Sequence, residues 1–337
     1  MITRLLLVGE AMLILLSCDC SRQPAAQPEQ PAAAAAPAQP ARNRLLFCGD
    51  VMLCRDVGAR IRATKDPAHP FRKIAPLLAA ADLTFINLES PFADRGPKGE
   101  SGLIFRAHPE SIEGLVLAGV DVAATANNHA RDCGDYGVTF TLTWLRQHGI
   151  EPAGSGETPE AAHAGAVLER HGVRFGFLGY TYDQSNGNWS HPDERIAVVD
   201  AAAMERDVAA LRKRADVVIV SIHAGIEYRK KPSPAQVEFA HQAVDAGATL
   251  VIGHHPHVTQ PMERYGKGAI FYSLGNFVFD QYQRVATQHG EIAEVVFSGT
   301  EIEQTSLLPV HITRDGPELE TPKAEPDSTV PPQARIE

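Results

Sequence analysis

The feature that most constrains the fold is a set of five short apolar segments, each followed within a few residues by polar side chains. The segments are residues 44–48, 82–87, 121–126, 216–222 and 248–252. The polar side chains that follow them include Asp50, Glu89, Asn128 with His129, His223, and His255 with His257. Helical patterns separate the segments, at residues 71–80, 109–118, 136–148, 201–214 and 233–246.

Short apolar runs that alternate with helical patterns are typical of β-α units in a largely parallel sheet. The carboxyl ends of strands in such a sheet converge on one crevice, where ligands bind. We therefore expect the polar side chains to meet in one site. A further group of apolar runs at residues 173–180, 269–273 and 291–297 has no long helices between its members, and predicts a second sheet.

Composition and charge narrow the class of protein. The chain has 337 residues, 44% of them hydrophobic and 21% charged, so it can bury a substantial core. Its formal net charge of -10 is not the basic footprint of a nucleic-acid-binding protein, and we expect no nucleic-acid partner. The same acidity disfavours a polyanionic polymer as partner, unless a local basic patch or a metal ion compensates.

The amino-terminal residues predict export and attachment to a membrane. An apolar stretch at residues 5–16 is too short to remain as a membrane-spanning helix, and it ends in the sequence LLSC at Cys18. This sequence resembles the lipobox of bacterial lipoproteins, although Glu10 departs from that pattern. The resemblance predicts a signal peptide over residues 1–18, and a lipoprotein held at a cell-envelope membrane through acylated Cys18. The domain would be extracytoplasmic, and periplasmic in a host with two membranes. The alternative is an ordinary secretory signal with an incidental cysteine.

The remaining boundaries follow from composition. Residues 19–43 are rich in Ala and Pro and predict a disordered tether, because such a segment has little to bury. The folded domain is predicted over 44–310, with a disordered tail over 311–337. Cys48 and Cys54 could form a disulfide in an exported protein, but buried free thiols are the interpretation we favour.

The clustered side chains predict a metal site. Carboxylates, an amide oxygen and imidazoles suit divalent ions such as Mn²⁺, Zn²⁺ or Fe²⁺. Cysteine is absent from the clustered groups, which argues against a closed structural zinc site. His255 and His257 have a spacing that can aim both imidazoles at one crevice, and His223 directly follows an apolar segment. We interpret His254 as a core or supporting residue rather than a ligand.

Six blocks of sequence resemble the CapA family, which is associated with capsule and poly-γ-glutamate synthesis. They are GDVMLCR from Gly49, NLESP from Asn87, ANNHARDCGDYG from Ala126, SIHAGIEYRKKPSPAQ from Ser221, VIGHHPHVTQP from Val251 and IFYSLGNFVFD from Ile270. The resemblance covers roughly residues 44–285, in the family's order. That family in turn is similar to the calcineurin-like metallophosphoesterases, which implies a four-layer α/β/β/α sandwich.

The resemblance to the phosphoesterases also implies roles for individual residues. The implied metal ligands are Asp50, Glu89, Asn128, His223, His255 and His257, for one or two ions. His129, beside Asn128, would be the catalytic acid or oxyanion stabiliser. Arg55, Glu227 and Tyr228 are candidate groups for binding an anion or substrate. Met52 stands where those enzymes have a ligand histidine, which puts a complete two-metal site in doubt.

The sequence is compatible with two functions. In the first, the protein is a membrane-tethered accessory component of a capsule or poly-γ-glutamate synthesis and export complex, and its site binds metal or polymer without turnover. In the second, it is a stand-alone metal-dependent hydrolase of a phosphoester or of an amide bond in the cell envelope. The replacement of a ligand by Met52 favours the first function, and the presence of Asn128 and His129 favours the second.

Overall fold

The computed structural model describes residues 40–96, 102–182 and 193–320. The strands are β1 (Arg42–Val51), β2 (Leu83–Leu88), β3 (Val122–Ala124), β4 (Glu151–Ala153), β5 (Ala166–Arg170), β6 (Val173–Thr181), β7 (Val217–His223), β8 (Leu250–His254), β9 (Thr259–Tyr265), β10 (Gly268–Leu274), β11 (Asn276–Val278), β12 (His289–Ser298), β13 (Glu301–Thr313) and β14 (Gly316–Leu319). The α-helices are α1 (Arg55–Thr64), α2 (Ala75–Leu78), α3 (Ile112–Leu117), α4 (Gly134–Gln147), α5 (Pro159–His163), α6 (Ala201–Leu211) and α7 (Pro234–Ala246).

The strands form two sheets. The first has the order β14-β13-β12-β1-β2-β3-β4, with β11 paired to β1 as well. Its strands β1 to β4 run parallel, whereas β12, β13 and β14 are antiparallel. The second sheet has the order β5-β6-β7-β8-β10-β9, with a parallel centre of β6, β7, β8 and β10.

Three apolar layers hold the sheets and helices together. The inner layer lies between the two sheets, where Phe85 of the first sheet stacks on Phe177 of the second at 5.9 Å between ring centroids. One outer layer joins α1, α3 and α4 to the first sheet, through residues such as Leu115. The other joins α6 and α7 to the second sheet, through residues such as Val208 and Phe239. These layers confirm the four-layer α/β/β/α sandwich.

The division of strands between the sheets differs from the sequence prediction. The five segments that end in polar side chains are strands, but three of them (β1, β2, β3) belong to the first sheet and two (β7, β8) to the second. The segment at 291–297 was predicted for the second sheet, and that is wrong, because β12 pairs with β1 of the first. Apolar periodicity identifies a strand but carries no information about which strand it pairs with.

Helices also differ in detail. α1 follows β1 directly and was not predicted. The pattern at 71–80 predicts one helix, but the structure has a 3₁₀ turn at His69–Phe71 and then the short α2.

The ordered strands extend past the predicted domain boundaries. β1 begins at Arg42, β13 ends at Thr313, and β14 lies within the residues assigned to a tail. The predicted signal peptide, Cys18, the tether up to residue 39 and residues 321–337 lie outside the described residues. Within the described ranges, no helix has the length and apolarity to cross a membrane.

The cysteines of the domain are buried thiols, as the favoured interpretation predicted. Cys48 and Cys54 do not form a disulfide with each other, and both are buried, as is Cys133. Burial raises the pKa of Cys54 to about 12, which makes its thiol a poor nucleophile and a poor metal ligand.

Candidate metal centre

Three buried side chains bring their ligand atoms together where strands of both sheets end. Asp50 lies in β1, Glu89 directly follows β2, and His257 lies in the loop between β8 and β9. One ligand atom from each residue lies within 4.8 Å of those of the other two, and all three residues are buried. We call Asp50, Glu89 and His257 the buried centre.

Asp50 is fully buried among hydrogen-bond donors. Asn87 Nδ2 donates to Asp50 Oδ1 at 2.8 Å, and His254 Nδ1 lies 3.4 Å from the same oxygen. His257 Nδ1 lies 3.3 Å from Asp50 Oδ2. Burial alone would raise the pKa of Asp50, but the hydrogen bonds and charges of His254 and His257 outweigh it and hold that pKa well below its usual range. Asp50 is therefore an ionised carboxylate.

The environment of Glu89 favours the binding of a cation. Its side chain is fully buried, and neither carboxylate oxygen has a hydrogen-bond partner among the described residues. Burial raises the pKa of Glu89 well above its ordinary value, with the charge of His257 acting in the opposite direction. A buried carboxylate without hydrogen bonds is costly, and coordination of a metal ion removes that cost. Together with the oxygen and imidazole donors beside it, this environment fits a divalent metal ion.

His257 is oriented by the polar groups around it. Its Nδ1 lies 3.0 Å from Asn276 Oδ1, and its Nε2 lies 3.6 Å from Glu89 Oε1. Burial would lower the pKa of His257, but the negative charges of Glu89 and Asp50 raise it to about 9. In the metal-free protein the His257 imidazole beside Glu89 therefore carries a second proton at neutral pH.

Three further predicted ligands lie beside the buried centre rather than within it. His223 Nε2 donates to Asn128 Oδ1 at 2.8 Å, and His223 Nδ1 lies 3.2 Å from Asn87 Nδ2. Burial lowers the pKa of His223 well below its ordinary value, so the imidazole is neutral. The ring of His255 lies 4.9 Å from that of His223 and 4.7 Å from that of Tyr182. Asn128, His223 and His255 thus form a second group of donors beside the buried centre, with Asn128 in the loop after β3 of the first sheet and the two histidines at the ends of β7 and β8 of the second.

Unusual backbone conformations concentrate around these residues. Six non-glycine residues in the described ranges have a positive φ, and four of them surround the site: Arg55, Tyr228, His255 and His257. His255 has φ 95° and His257 has φ 58°. Tyr228 N donates to Pro256 O at 2.8 Å, which joins the loop after β7 to the loop after β8. Such conformations persist only where the surroundings over-determine them, and they cluster at functional sites.

His129 lies near the same crevice and has a carboxylate partner, Asp132, which was not among the predicted site residues. Its Nδ1 lies 2.7 Å from Asp132 Oδ2, and its ring stacks on Phe105 at 3.8 Å between centroids. Asp132 is fully buried and also accepts a hydrogen bond from Phe105 N. This arrangement fixes the imidazole and leaves its Nε2 as the position for handling a proton.

The three predicted substrate-binding residues lie at the rim. Arg55 Nη2 lies 3.0 Å from Asp280 Oδ1, and its guanidinium lies 5.5 Å from the centroid of Phe105. The ring of Tyr228 lies 6.3 Å from that of His257 and is covered by the guanidinium of Arg284 at 4.4 Å. Glu227 precedes Tyr228 and is exposed. The pKa of Tyr228 is raised, mainly by burial and to a smaller extent by the negative charge of Glu227. A cavity of about 290 Å³ lies at this rim, with Arg55, Tyr228 and Arg284 among its lining residues.

Several residues that organise the site lie in the family-like sequence blocks but had no predicted role. Asn87 lies in NLESP and bonds Asp50, Asn276 lies in YSLGNF and contacts His257, and Asp132 lies three residues after His129. The signal for the two asparagines was their place next to strand ends. Met52 is fully buried, and its Sδ contacts Cys54 Sγ at 3.1 Å, so a thioether packs where a ligand was implied.

The amino-acid sequence matches a known family. The profile described as bacterial capsule synthesis protein PGA_cap matches residues 44–281. The chain belongs to this family. It is 33% identical over 265 residues to the capsule biosynthesis protein CapA of Bacillus anthracis, a match that covers 74% of this chain and 63% of the relative. It is 32% identical over 240 residues to the PGA biosynthesis protein CapA of Bacillus subtilis, covering 70% of this chain and 63% of the relative. The chain thus spans less than two thirds of the length of these relatives.

Solved structures agree on the fold of this PGA_cap protein. A hypothetical protein from Thermus thermophilus superposes with a TM-score of 0.51 at 20% identity, over 79% of this chain and 98% of that one. The 5'-nucleotidase precursor from the same organism superposes with a TM-score of 0.51 at 15% identity, over 82% of this chain and 56% of that one. At these identities the likeness concerns the fold, which is the metallophosphatase-type sandwich.

Proposed function

We propose that the protein is a membrane-tethered, extracytoplasmic component of capsule or poly-γ-glutamate-type polymer synthesis and export, and that it works through a divalent metal centre. The observation that carries the metal centre is Glu89, a buried carboxylate without hydrogen bonds, beside Asp50 and His257. The observation that supports the polymer is membership of the PGA_cap family. A relative in Mycobacterium tuberculosis, 32% identical, is named a probable polyglutamine synthesis accessory protein, which supports a partner complex.

The residues of this chain have distinct tasks in that proposal. Asp50, Glu89 and His257 would hold the ion, with Asn128, His223 and His255 as additional donors. A bound divalent ion lowers the pKa of a coordinated water and polarises a phosphoryl or carbonyl oxygen. Asn276 orients His257, and Asn87 orients both Asp50 and His223. Arg284 at the rim provides positive charge for an anionic polymer in an otherwise acidic protein, next to Arg55, which is paired with Asp280.

The second candidate is a stand-alone metal-dependent hydrolase of a phosphoester or an envelope amide bond. The pairing of His129 with buried Asp132 favours it, because an imidazole fixed through Nδ1 can donate a proton to a leaving group from Nε2. An accessory protein that only binds metal and polymer has no need of such a pair.

One experiment separates the two candidates. The gene is deleted in its host, and the strain is complemented with wild type, Glu89→Gln, His129→Ala or the distant control His241→Ala. We expect cell-bound polymer to return with wild type and with His241→Ala, and to fail with Glu89→Gln. Recovery with Glu89→Gln would contradict the proposed role of the metal centre. Loss with His129→Ala, together with release of a hydrolysis product by the purified wild type alone, would favour the hydrolase.

Membrane attachment has its own test. Replacing Cys18 by Ala removes the proposed site of acylation, so the protein should leave the membrane fraction and appear in a soluble fraction. Unchanged fractionation of the Cys18→Ala protein would contradict the lipid anchor.

A further inference from the structure

A second cluster of metal-ligand side chains lies beyond the residues that the family profile matches. It consists of His289, His311 and Glu320, which we call the strand cluster. Each residue offers one ligand atom, and the three atoms lie within 4.8 Å of one another. The profile ends at residue 281, so the resemblance to the family assigns no role to this cluster.

The pairing of the strands brings the three residues together. His289 of β12 and His311 of β13 are direct partners in an antiparallel ladder. His311 is in turn the partner of Glu318 in β14. Because side chains alternate along a strand, Glu320 returns to the face that carries Glu318 and His311. Glu320 N donates to Pro309 O at 2.9 Å. This hydrogen bond continues the pairing of β13 and β14 and holds the backbone of Glu320 in place.

The side chains are positioned but not closed off from solvent. The rings of His289 and His311 lie 5.3 Å apart between centroids. His289 Nδ1 contacts Glu320 Oε1, and the two side chains are 44% and 35% exposed. Within the described ranges, the His311 side chain makes no hydrogen bond. Both of its ring nitrogens are therefore available to a ligand.

Two imidazoles and one carboxylate are a ligand set that zinc uses in sites with an open coordination position. A tetrahedral ion with ligands at about 2.1 Å needs neighbouring ligand atoms about 3.4 Å apart. The present spread of up to 4.8 Å is larger, but half-exposed side chains can close it by small rotations. We propose that His289, His311 and Glu320 form a second metal site for a transition-metal ion of the Zn²⁺ type, with at least one coordination position open to solvent.

The site adjoins a segment that supports the buried centre. Gly290 follows His289 and forms a bridge with Gly275, and Asn276 Nδ2 donates to Thr287 O at 3.0 Å. Asn276 is the residue that contacts His257. An ion at the strand cluster would therefore brace the start of β12, against which Asn276 is held.

The test measures binding of Zn²⁺ to the full chain by isothermal titration calorimetry, for wild type, His311→Ala and a matched control. The control is His241→Ala, because His241 also pairs with a carboxylate, Glu263 at 3.2 Å, but belongs to no cluster of three metal-ligand side chains among the described residues. Both variants keep the buried centre, so its contribution cancels in the comparison. We expect wild type and His241→Ala to bind one more equivalent than His311→Ala, whose affinity at this site falls by at least about 100-fold.

A second variant guards against a folding defect in His311→Ala. Glu320→Gln keeps the shape of the side chain and the backbone ladder, and it should lose the same equivalent of Zn²⁺. Thermal unfolding without metal shows whether each variant is folded. Equal Zn²⁺ stoichiometry and affinity in wild type and in folded Glu320→Gln would overturn the proposal and leave the cluster as a metal-free group of polar side chains. A loss of Zn²⁺ binding in His241→Ala as large as that in His311→Ala would also overturn the proposal.

Discussion

The buried centre and the strand cluster use similar ligands in different surroundings. In the buried centre all three residues are buried, and neighbouring asparagines and histidines contact Asp50 and His257. In the strand cluster the three residues are half-buried, and the hydrogen bond of His289 with Glu320 stays within the cluster. The ligands of the buried centre are held by neighbouring polar residues, whereas those of the strand cluster are positioned by strand register alone.

This difference predicts different behaviour towards metal. A pre-organised site with few bound waters binds its ion tightly and selects it by geometry, because little is lost in ordering the ligands. A half-exposed site on regular strands must order its side chains on binding, and it exchanges its ion more readily. The cost of the first design is a buried carboxylate that is unsatisfied without metal, which is Glu89.

The largest expected effect comes from neutralising Glu89. In Glu89→Gln the buried centre loses a ligand charge, so metal affinity there should fall by at least about 100-fold. The metal-free variant should be about as stable as metal-free wild type at neutral pH, because removing a buried carboxyl group whose pKa is strongly raised offsets the lost contact with His257. Calorimetric titration and thermal unfolding measure the two quantities. A large loss of metal-free stability would contradict this account of Glu89.

The next effect is a pH dependence of metal binding at the buried centre. The pKa of His257 is about 9 in the metal-free protein, so the ion must displace a proton to bind at neutral pH. Affinity should rise by about tenfold per pH unit between pH 7 and 9 for each proton displaced. The raised pKa also stabilises the metal-free fold below pH 6.5, and this contribution is lost as pH rises through 9.

Metal affinity should rise and the stability of the metal-free fold should fall as the pH goes from 7 to 9, so the increase in Tm caused by metal should grow over this range. Titrating His311→Ala removes the contribution of the strand cluster from the measurement. Affinity that does not change over this range would contradict the proton held between His257 and Glu89.

A smaller effect is expected from a residue that supports the buried centre without binding the ion. Asn276→Ala removes the amide oxygen 3.0 Å from His257 Nδ1, and should weaken metal binding by about 10- to 100-fold. Asn276→Asp retains an acceptor oxygen and should recover most of the affinity. An equal loss in both variants would point to a packing defect rather than to the orientation of His257.

The fold was predictable from the sequence to a large extent, because buried parallel strands are apolar runs and their ends carry the polar residues. Asp50, Glu89 and His257 could be singled out for that reason. The division of these strands between two sheets could not, since pairing is set by contacts that periodicity does not encode. The roles of Asn87 and Asn276 were missed because they act on other side chains.

The strand cluster was missed for a different reason. His289, His311 and Glu320 lie far apart in the chain, and only the register of β12, β13 and β14 brings them to one face. Glu320 also lies in the segment that composition predicts to be a disordered tail, so its position in the sequence does not suggest a ligand.

The most direct test of the buried centre is the metal content of the full chain purified without chelator, measured by elemental analysis. The background protein carries His311→Ala, which removes the strand cluster. It is compared with the same protein carrying in addition either Glu89→Gln or the control substitution His241→Ala. The account predicts about one equivalent or more of a divalent metal in the background protein and the control, and loss of that metal in Glu89→Gln. Equal metal content in all three proteins, or none in any, would contradict it.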